Sequence, residues 1–322
     1  MSRRLVLLAL PLLLVAGCAH HRDHRGAGAT QRNPASQNPA ERFATNVEAA
    51  DQAVERAILR MDAFERLAGR EDSAISYAVS TGRTPAPQLL PAAGGVGELT
   101  GRVLAPAFTA LGDYGHVLAQ AAVGTPIQAK RSPPGAELAA SAGRALDALK
   151  TTAGVTLTPA VREAGLAAIT HLADLPETMT KERGTRPGMA AVVTAAQPHV
   201  HALTTMLREV LGTETSKGVR SVIRTRRVAL NEAHGRFLSA VQRDRTAGPA
   251  DRYAIFRTVA ELREGDPAPG TLAQLVTLLA SLSTAHDALD EGAADAAAKV
   301  AGFEDAVEHL AHLGEQSRRA GE

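Results

Sequence analysis

The chain has a single cysteine, Cys18, and no tryptophan, and its aromatic residues are limited to three tyrosines and six phenylalanines among 322 residues. One cysteine excludes an internal disulfide framework and a zinc site built on cysteines. The shortage of aromatic rings argues against stacking platforms for sugars or single-stranded nucleic acid, and against an outer-membrane barrel with its aromatic girdles. Stability therefore has to come from an aliphatic core.

Neither positive nor negative charge is in excess. Once residues 1–17 are set aside, 33 Lys and Arg stand against 34 Asp and Glu. A nucleic-acid partner requires a clustered basic surface, so the composition predicts no binding to nucleic acid. Alanine and leucine dominate instead, with few β-branched runs, which favours helices.

The N-terminal segment has a distinctive order of residues. Arg3 and Arg4 precede an apolar run over 5–16, and the run ends in Val15-Ala16-Gly17-Cys18. The run is about half the roughly 20 residues that a membrane-spanning helix needs. A basic head, a short apolar core and small residues before the cleavage point are typical of a secretory signal peptide. Residues 1–18 resemble the signal peptide and lipobox of bacterial lipoproteins.

The resemblance implies that residues 1–17 are removed and that Cys18 becomes the lipidated N-terminus, carrying diacylglycerol and a palmitate-type acyl chain. Two or more acyl chains hold a protein stably on a membrane. Ala19 stands where an Asp would resemble a signal for retention at the inner membrane. We therefore expect a cell-envelope protein anchored through Cys18, at the outer membrane and facing the periplasm.

The mature chain divides into a polar start and a long helical part. Residues 18–42 are rich in small and polar residues and contain Pro34 and Pro39, which predicts a lipidated flexible tether. From Phe43 onward, apolar residues recur every three or four positions, which predicts a long amphipathic helix to about residue 79. Residues 81–97 are predicted to form a loop, with the glycine-rich stretch 94–97 as a flexible turn.

The same spacing predicts further helices, separated by prolines and glycines. Their expected bounds are 98–123, 136–152, 159–175, 187–212, 213–245, 249–265 and 271–313. Pro176 is expected to end the fourth helix, and a seam from Leu275 to Leu310 predicts one unbroken final helix. Long amphipathic helices must bury their apolar stripes against each other. We therefore predict an all-α fold, an elongated antiparallel bundle of long amphipathic helices over 43–314 with a polar tail at 315–322. Whether 43–123 and 136–314 form separate subdomains is left open.

Histidines are the first candidates for chemistry. His309 and His312 are three residues apart and can share a helix face, which makes them weak candidates for a zinc or iron site. A solvated polar face explains them better. The histidines directly after Cys18 are interpreted as a chance cluster: His20, His21 and His24.

Other histidines are expected to be structural. His199 and His201 are two residues apart and should face different directions on a helix. His286 lies on the apolar seam of the last helix, so we expect a buried histidine bonded to a neighbouring helix. A pH-sensitive role is the alternative, since the pKa of a free histidine is about 6.5.

A basic stripe is the main candidate for a binding surface. Arg220, Arg224 and Arg227 recur at helical spacing in a segment with few acidic residues. They predict an anion-binding or partner-binding face for lipid headgroups, lipopolysaccharide phosphates or an acidic protein. The alternative is a solvated face whose arginines pair with acids on neighbouring helices.

No catalytic or cofactor motif is present: the chain lacks G-x-S-x-G, H-E-x-x-H and a P-loop. No cofactor is therefore predicted. The favoured function is a non-catalytic structural or protein-interaction module of the envelope, with an envelope protein as partner. The alternatives are a protein that binds a lipid or other apolar ligand between helices and a metal-dependent helical-bundle enzyme.

Overall fold

The computed structural model describes residues 38–79, 95–128, 132–264, 268–290 and 295–319, and these residues form a bundle of α-helices without a strand. The helices are α1 (Pro39–Val79), α2 (Val96–Ala122), α3 (Gly135–Ala153), α4 (Pro159–Arg183), α5 (Met189–Leu211), α6 (Gly218–Arg243), α7 (Pro249–Glu264), α8 (Ala268–Asp290) and α9 (Ala296–Arg319). The prediction of an all-α bundle is confirmed.

Helix α1 begins earlier than expected. Pro39 is its first residue, a position where proline loses no hydrogen bond and its fixed φ suits the helix. The Asn38 carboxamide oxygen accepts a hydrogen bond from the Ala40 N–H at 3.0 Å. Ala40 is fully buried, so the predicted tether cannot extend to residue 42. Pro39, which was predicted to block a helix in this segment, is the first residue of α1.

The core is shared by helices from both halves of the described chain. Phe43 of α1, Leu111 of α2, Leu203 of α5, Leu279 of α8 and Phe303 of α9 belong to one cluster of buried side chains. Each of them is at most 1% exposed. Helices within 43–123 and within 136–314 therefore build a single hydrophobic core together.

Helices α1 and α2 approach each other closely along an antiparallel contact. Glu65, late in α1, lies against the start of α2, whereas Ala44, early in α1, lies against Gly115. A Cβ atom on Gly101 would come within 2.6 Å of the Ile58 Cγ2 atom. Glycine at this position therefore permits the two helices to pack more tightly than a side chain would allow.

The final helix was predicted wrongly as one continuous element. The chain forms α8 and α9, which pack on each other, and the Gln274 side chain donates to the Ala306 carbonyl at 3.1 Å. Both helices bury an apolar stripe in the same core. The regular spacing of apolar residues therefore continues along the sequence although the two helices run in opposite directions. Gly292, between the two helices in the sequence, was the only local indication of a break.

Pro176 does not end the fourth helix, which continues to Arg183. An interior proline costs a helix about 3 kcal/mol. Leu175 and Met179 on the same helix are at most 5% exposed, and burying each such side chain contributes about 1.5–3 kcal/mol. Packing of this helix therefore outweighs the lost backbone hydrogen bond. Helix α9 likewise extends into the predicted polar tail, to Arg319.

Two glycines of α3 should respond in opposite ways to substitution by alanine. A Cβ on Gly135 would lie 2.5 Å from the Thr170 carbonyl oxygen and 2.8 Å from the Thr170 Cα. Since both are backbone atoms, Gly135→Ala should lower the free energy of unfolding by about 1–3 kcal/mol. A Cβ on Gly143 would have the Leu166 Cδ1 as its nearest atom, at 3.7 Å. Gly143→Ala should therefore raise the free energy of unfolding by up to about 1 kcal/mol. Denaturant unfolding followed by circular dichroism measures both, and a loss of equal size in the two variants would contradict the α3–α4 packing.

Candidate functional site

The basic residues of the protein are concentrated in α6 and α7. Residues 217–263, called here the basic hairpin, hold eleven Lys and Arg against four Asp and Glu. The rest of the chain from residue 18 onward holds 22 Lys and Arg against 30 Asp and Glu. The near-neutral total therefore combines a strongly basic segment with an acidic remainder.

The three arginines of the predicted stripe have different environments. The Arg220 Nη1 atom donates to the Gly212 and Thr213 carbonyls at 3.3 and 3.2 Å, beyond the C-terminus of α5. Arg227 is half-buried and lines a cavity, whereas Arg224 is exposed. Of the three, only Arg224 is in the position that a partner-binding face requires.

Helix α7 exposes two aromatic side chains that the sequence analysis did not single out. Tyr253 is 69% and Phe256 59% exposed. They are three residues apart and so lie on one face of the helix, next to the exposed Arg257. A tyrosine and a phenylalanine at helical spacing among arginines were the feature of the sequence that could have revealed them.

Hydrogen bonds from arginines to carbonyls attach α7 to α6. The Arg252 Nη2 atom donates to the Asp244 carbonyl at 2.8 Å, and the Arg263 Nη2 atom to the Asn231 carbonyl at 3.0 Å. Val259 is the buried residue of α7. These contacts fix the antiparallel order of the hairpin and leave Tyr253 and Phe256 facing solvent.

Glu65 of α1 connects the basic hairpin to the core. Its Oε1 atom accepts from the Arg226 Nη1 at 2.6 Å, and its Oε2 atom from the Gly97 N–H at 2.6 Å. The Glu65 side chain is 11% exposed. Helix α2 has no side-chain cap of its own at Gly95, so the Glu65 carboxylate serves as that cap. The stretch 94–97, expected to be a flexible turn, thus contains a glycine N–H bonded to α1.

A cavity of about 380 Å³ lies between α1 and α6, near the start of α2. Its apolar lining consists of Met61, Phe64, Ala68, Ile223, Ala229 and Leu230. Charged side chains that also line it include Glu65, Arg66 and Arg226. The sequence alone does not reveal this cavity, because its two walls are more than 150 positions apart in the chain.

His286 has the structural role that its seam position predicts. Its Nε2 atom lies 2.7 Å from the Tyr114 hydroxyl oxygen, and both side chains are fully buried. The rings of Phe43 and Phe303 complete an aromatic cluster around α1, α2, α8 and α9. This cluster uses four of the few aromatic or imidazole rings in the chain to fix the centre of the core.

Two other histidines stack on each other between α4 and α5. The ring centroids of His171 and His199 are 4.4 Å apart and the ring planes 23° from parallel. Burial, and then the charge of His171, lower the pKa of His199 below its usual value. His201, its sequence neighbour, is not part of this pair, as the spacing predicted.

The remaining candidates do not gather into a site within the described residues. His309 and His312 are exposed on α9, and no group of three or more His, Cys, Asp or Glu in the described ranges could hold a metal ion. Cys18, His20, His21 and His24 lie outside the described residues. Within those residues, none of the helices has the length and apolar character to cross a membrane.

Removing the Glu65 carboxylate should destabilise the protein and loosen α6. In Glu65→Ala the Gly97 N–H loses its acceptor and Arg226 its partner, so the free energy of unfolding should fall by about 2 kcal/mol. Hydrogen exchange should accelerate in α6 and in the first turn of α2. The control is Glu55→Ala on the exposed face of α1, which should change stability by less than about 0.5 kcal/mol. Equal effects of the two substitutions would rule out the bridging role.

Protonation of His199 should make the folded state less stable at acidic pH. Because the pKa of His199 is lowered in the folded state, the unfolded chain binds more protons over that range. The stabilisation of the folded state that depends on neutral His199 is therefore complete above about pH 6.5. It is lost as the pH falls through the folded-state pKa. In His171→Asn the charge repulsion disappears, and the pKa of His199 should rise. NMR titration of the histidine ring protons measures the pKa of His199 in both proteins. The same pKa in the two would contradict the coupling of His199 to His171.

Comparisons of the chain with protein-family models, curated proteins and solved structures gave no match. Its function is therefore argued from the residues and contacts described above. Two features carry that argument, the exposed face of the basic hairpin and the cavity between α1 and α6.

Proposed function

We propose that the protein is a membrane-anchored envelope lipoprotein whose helical bundle is a non-catalytic protein-interaction module. The observation that carries the proposal is the exposed pair Tyr253 and Phe256 on the arginine-rich hairpin. The resemblance of residues 1–18 to a lipoprotein signal supports the anchor at Cys18 and the location at the outer membrane. The docking surface comprises the exposed face of α7 and the exposed arginines of α6.

The composition of this surface is that of a protein interface. Aromatic residues and arginine are enriched in such interfaces, whereas lysine is depleted. The basic hairpin has ten arginines and one lysine, a preference for arginine that it shares with the whole chain of 30 arginines and five lysines. Tyr253 and Phe256 provide two large side chains whose burial by a partner would contribute about 1.5–3 kcal/mol each. Tyrosine and arginine are also among the residues enriched in interface hot spots.

Charge complementarity defines the partner as a protein with an acidic surface. The exposed arginines on α6 and the loop that follows it include Arg224, Arg236, Arg243 and Arg245. Such a surface steers an acidic partner towards it and makes the association rate dependent on salt. The rest of the chain has more acidic than basic residues, so its other surfaces would repel an acidic partner. A basic membrane-binding surface is the competing occupant, and the experiment distinguishes the two.

The test is site-specific crosslinking in intact cells. Benzoylphenylalanine placed at Phe256 of the full chain should capture one envelope protein through an acidic segment, identified by mass spectrometry. At Leu59 of α1, which is 61% exposed, the same amino acid should not capture that protein. Crosslinks from position 256 to phospholipid alone, or identical products from both positions, would overturn the proposal.

A charge-reversal series then links the captured protein to the hairpin. Arg224→Glu combined with Arg236→Glu should weaken binding of the purified partner at least tenfold and reduce the salt dependence of the association rate. Arg183→Glu, at an exposed arginine in the last turn of α4, is the matched control and should leave affinity within about twofold. Equal losses in the two variants would show that the hairpin is not the docking surface.

A further inference from the structure

The cavity between α1 and α6 has the size of a ligand site. Its volume of about 380 Å³ falls within the roughly 300–1,000 Å³ of known small-molecule pockets. The cavity is partly open to solvent, and its apolar side chains offer water few hydrogen-bond partners. An apolar group that fills it would therefore remove apolar surface from water.

The charged groups at the cavity already compensate one another. Glu65 pairs with Arg226 at 2.6 Å, and Arg66 pairs with Asp62 at 2.5 Å. Asp72 and Arg227 also line the cavity. Three carboxylates, Asp62 included, therefore stand against three arginines and leave no formal excess charge that would require an ion as ligand. The apolar side chains of Met61, Phe64, Ala68, Ile223, Ala229 and Leu230 supply the rest of the lining. The chemistry of the lining thus selects an uncharged, apolar occupant.

Helix α6 has few buried residues to attach it to α1. Its buried residues are Val219, Ile223, Ala233 and His234. His234 is fully buried, yet neither ring nitrogen makes a hydrogen bond, and the Glu71 Oε1 atom lies 3.4 Å from its Nε2. This contact is one helical turn beyond Leu230 of the cavity. An apolar ligand between α1 and α6 would add the contact area that α6 lacks.

We propose that this cavity binds a single hydrocarbon chain, the acyl chain of a free fatty acid or of a lipid. The chain lies against the apolar walls of α1 and α6, and its polar end stays at the mouth, beside the paired charges. Binding joins α6 more firmly to α1. This site is distinct from the exposed face of α7 and does not depend on the docking function.

The test uses a fluorescent fatty acid, cis-parinaric acid, and the unlipidated chain of residues 19–322, whose helical bundle contains its own core. We expect saturable binding of one probe per protein, displaced by laurate and by dodecanol to a similar extent. Competition by the uncharged alcohol is essential, because the lining carries no excess charge. Displacement by laurate alone would overturn the hydrocarbon-chain assignment in favour of a site for the carboxylate.

Substitutions that fill the cavity provide the decisive comparison. Ala68→Phe on α1 should weaken probe binding at least tenfold, and Ala229→Phe on the opposite wall should do the same, so that a folding defect in one variant leaves the other informative. The matched control is Ala105→Phe, in a different groove formed by α2 and α3, with affinity expected to stay within twofold. Circular dichroism verifies folding. Absent binding, or binding unaffected by both cavity substitutions, would overturn the proposal.

Mass spectrometry of the protein purified from envelopes under non-denaturing conditions identifies the source of the chain. An added mass equal to a fatty acid assigns the site to free acids, and a phospholipid mass assigns it to a lipid. Whichever mass is found should be absent from Ala68→Phe and present in Ala105→Phe. An added mass that persists in Ala68→Phe would show that the lipid is held elsewhere.

Discussion

A largely buried carboxylate shared by three helices sets much of the arrangement around the candidate sites. Glu65 of α1 accepts from the Gly97 N–H and from Arg226, so one side chain fixes where α2 begins and where α6 lies. A carboxylate that is largely removed from water must have its oxygens satisfied, and here each oxygen serves a different helix. The cavity and the basic hairpin both border this contact. The position of both candidate surfaces therefore depends on one side chain, which itself lines the cavity.

Several arginines of α6 and α7 donate hydrogen bonds to backbone carbonyls. Arg220 bonds to the carbonyls after α5, Arg252 to that of Asp244, and Arg263 to that of Asn231. The guanidinium offers five N–H groups in a rigid fork, so it can hold helix ends together while its charge stays near the surface. A count of basic residues consequently overstates the number of arginines that face a partner. The exposed subset, with Tyr253 and Phe256, is what distinguishes the hairpin.

Apolar spacing predicted the helices but not where the chain reverses or how it passes through proline. Leu275 and Leu310 belong to one sequence pattern and to two helices, because α8 and α9 bury stripes against the same core. Pro176 lies inside α4, since packing of Leu175 and Met179 outweighs the missing hydrogen bond. In each case the deciding contact is made with another helix, and local sequence has no information about that neighbour.

The sequence by itself determined that the chain is helical, that His286 lies in the core, and that residues 1–18 resemble a lipoprotein signal. These conclusions depend on local order and on periodicity, which a single helix already displays. Only the tertiary structure decided that Arg220 bonds to the carbonyls after α5, that Glu65 caps α2, and that a partly open cavity lies between α1 and α6. It also decided that Tyr253 and Phe256 face solvent. The reason is physical: burial and pairing depend on which distant segment comes within a few ångströms, and that is set by the packing of the whole bundle.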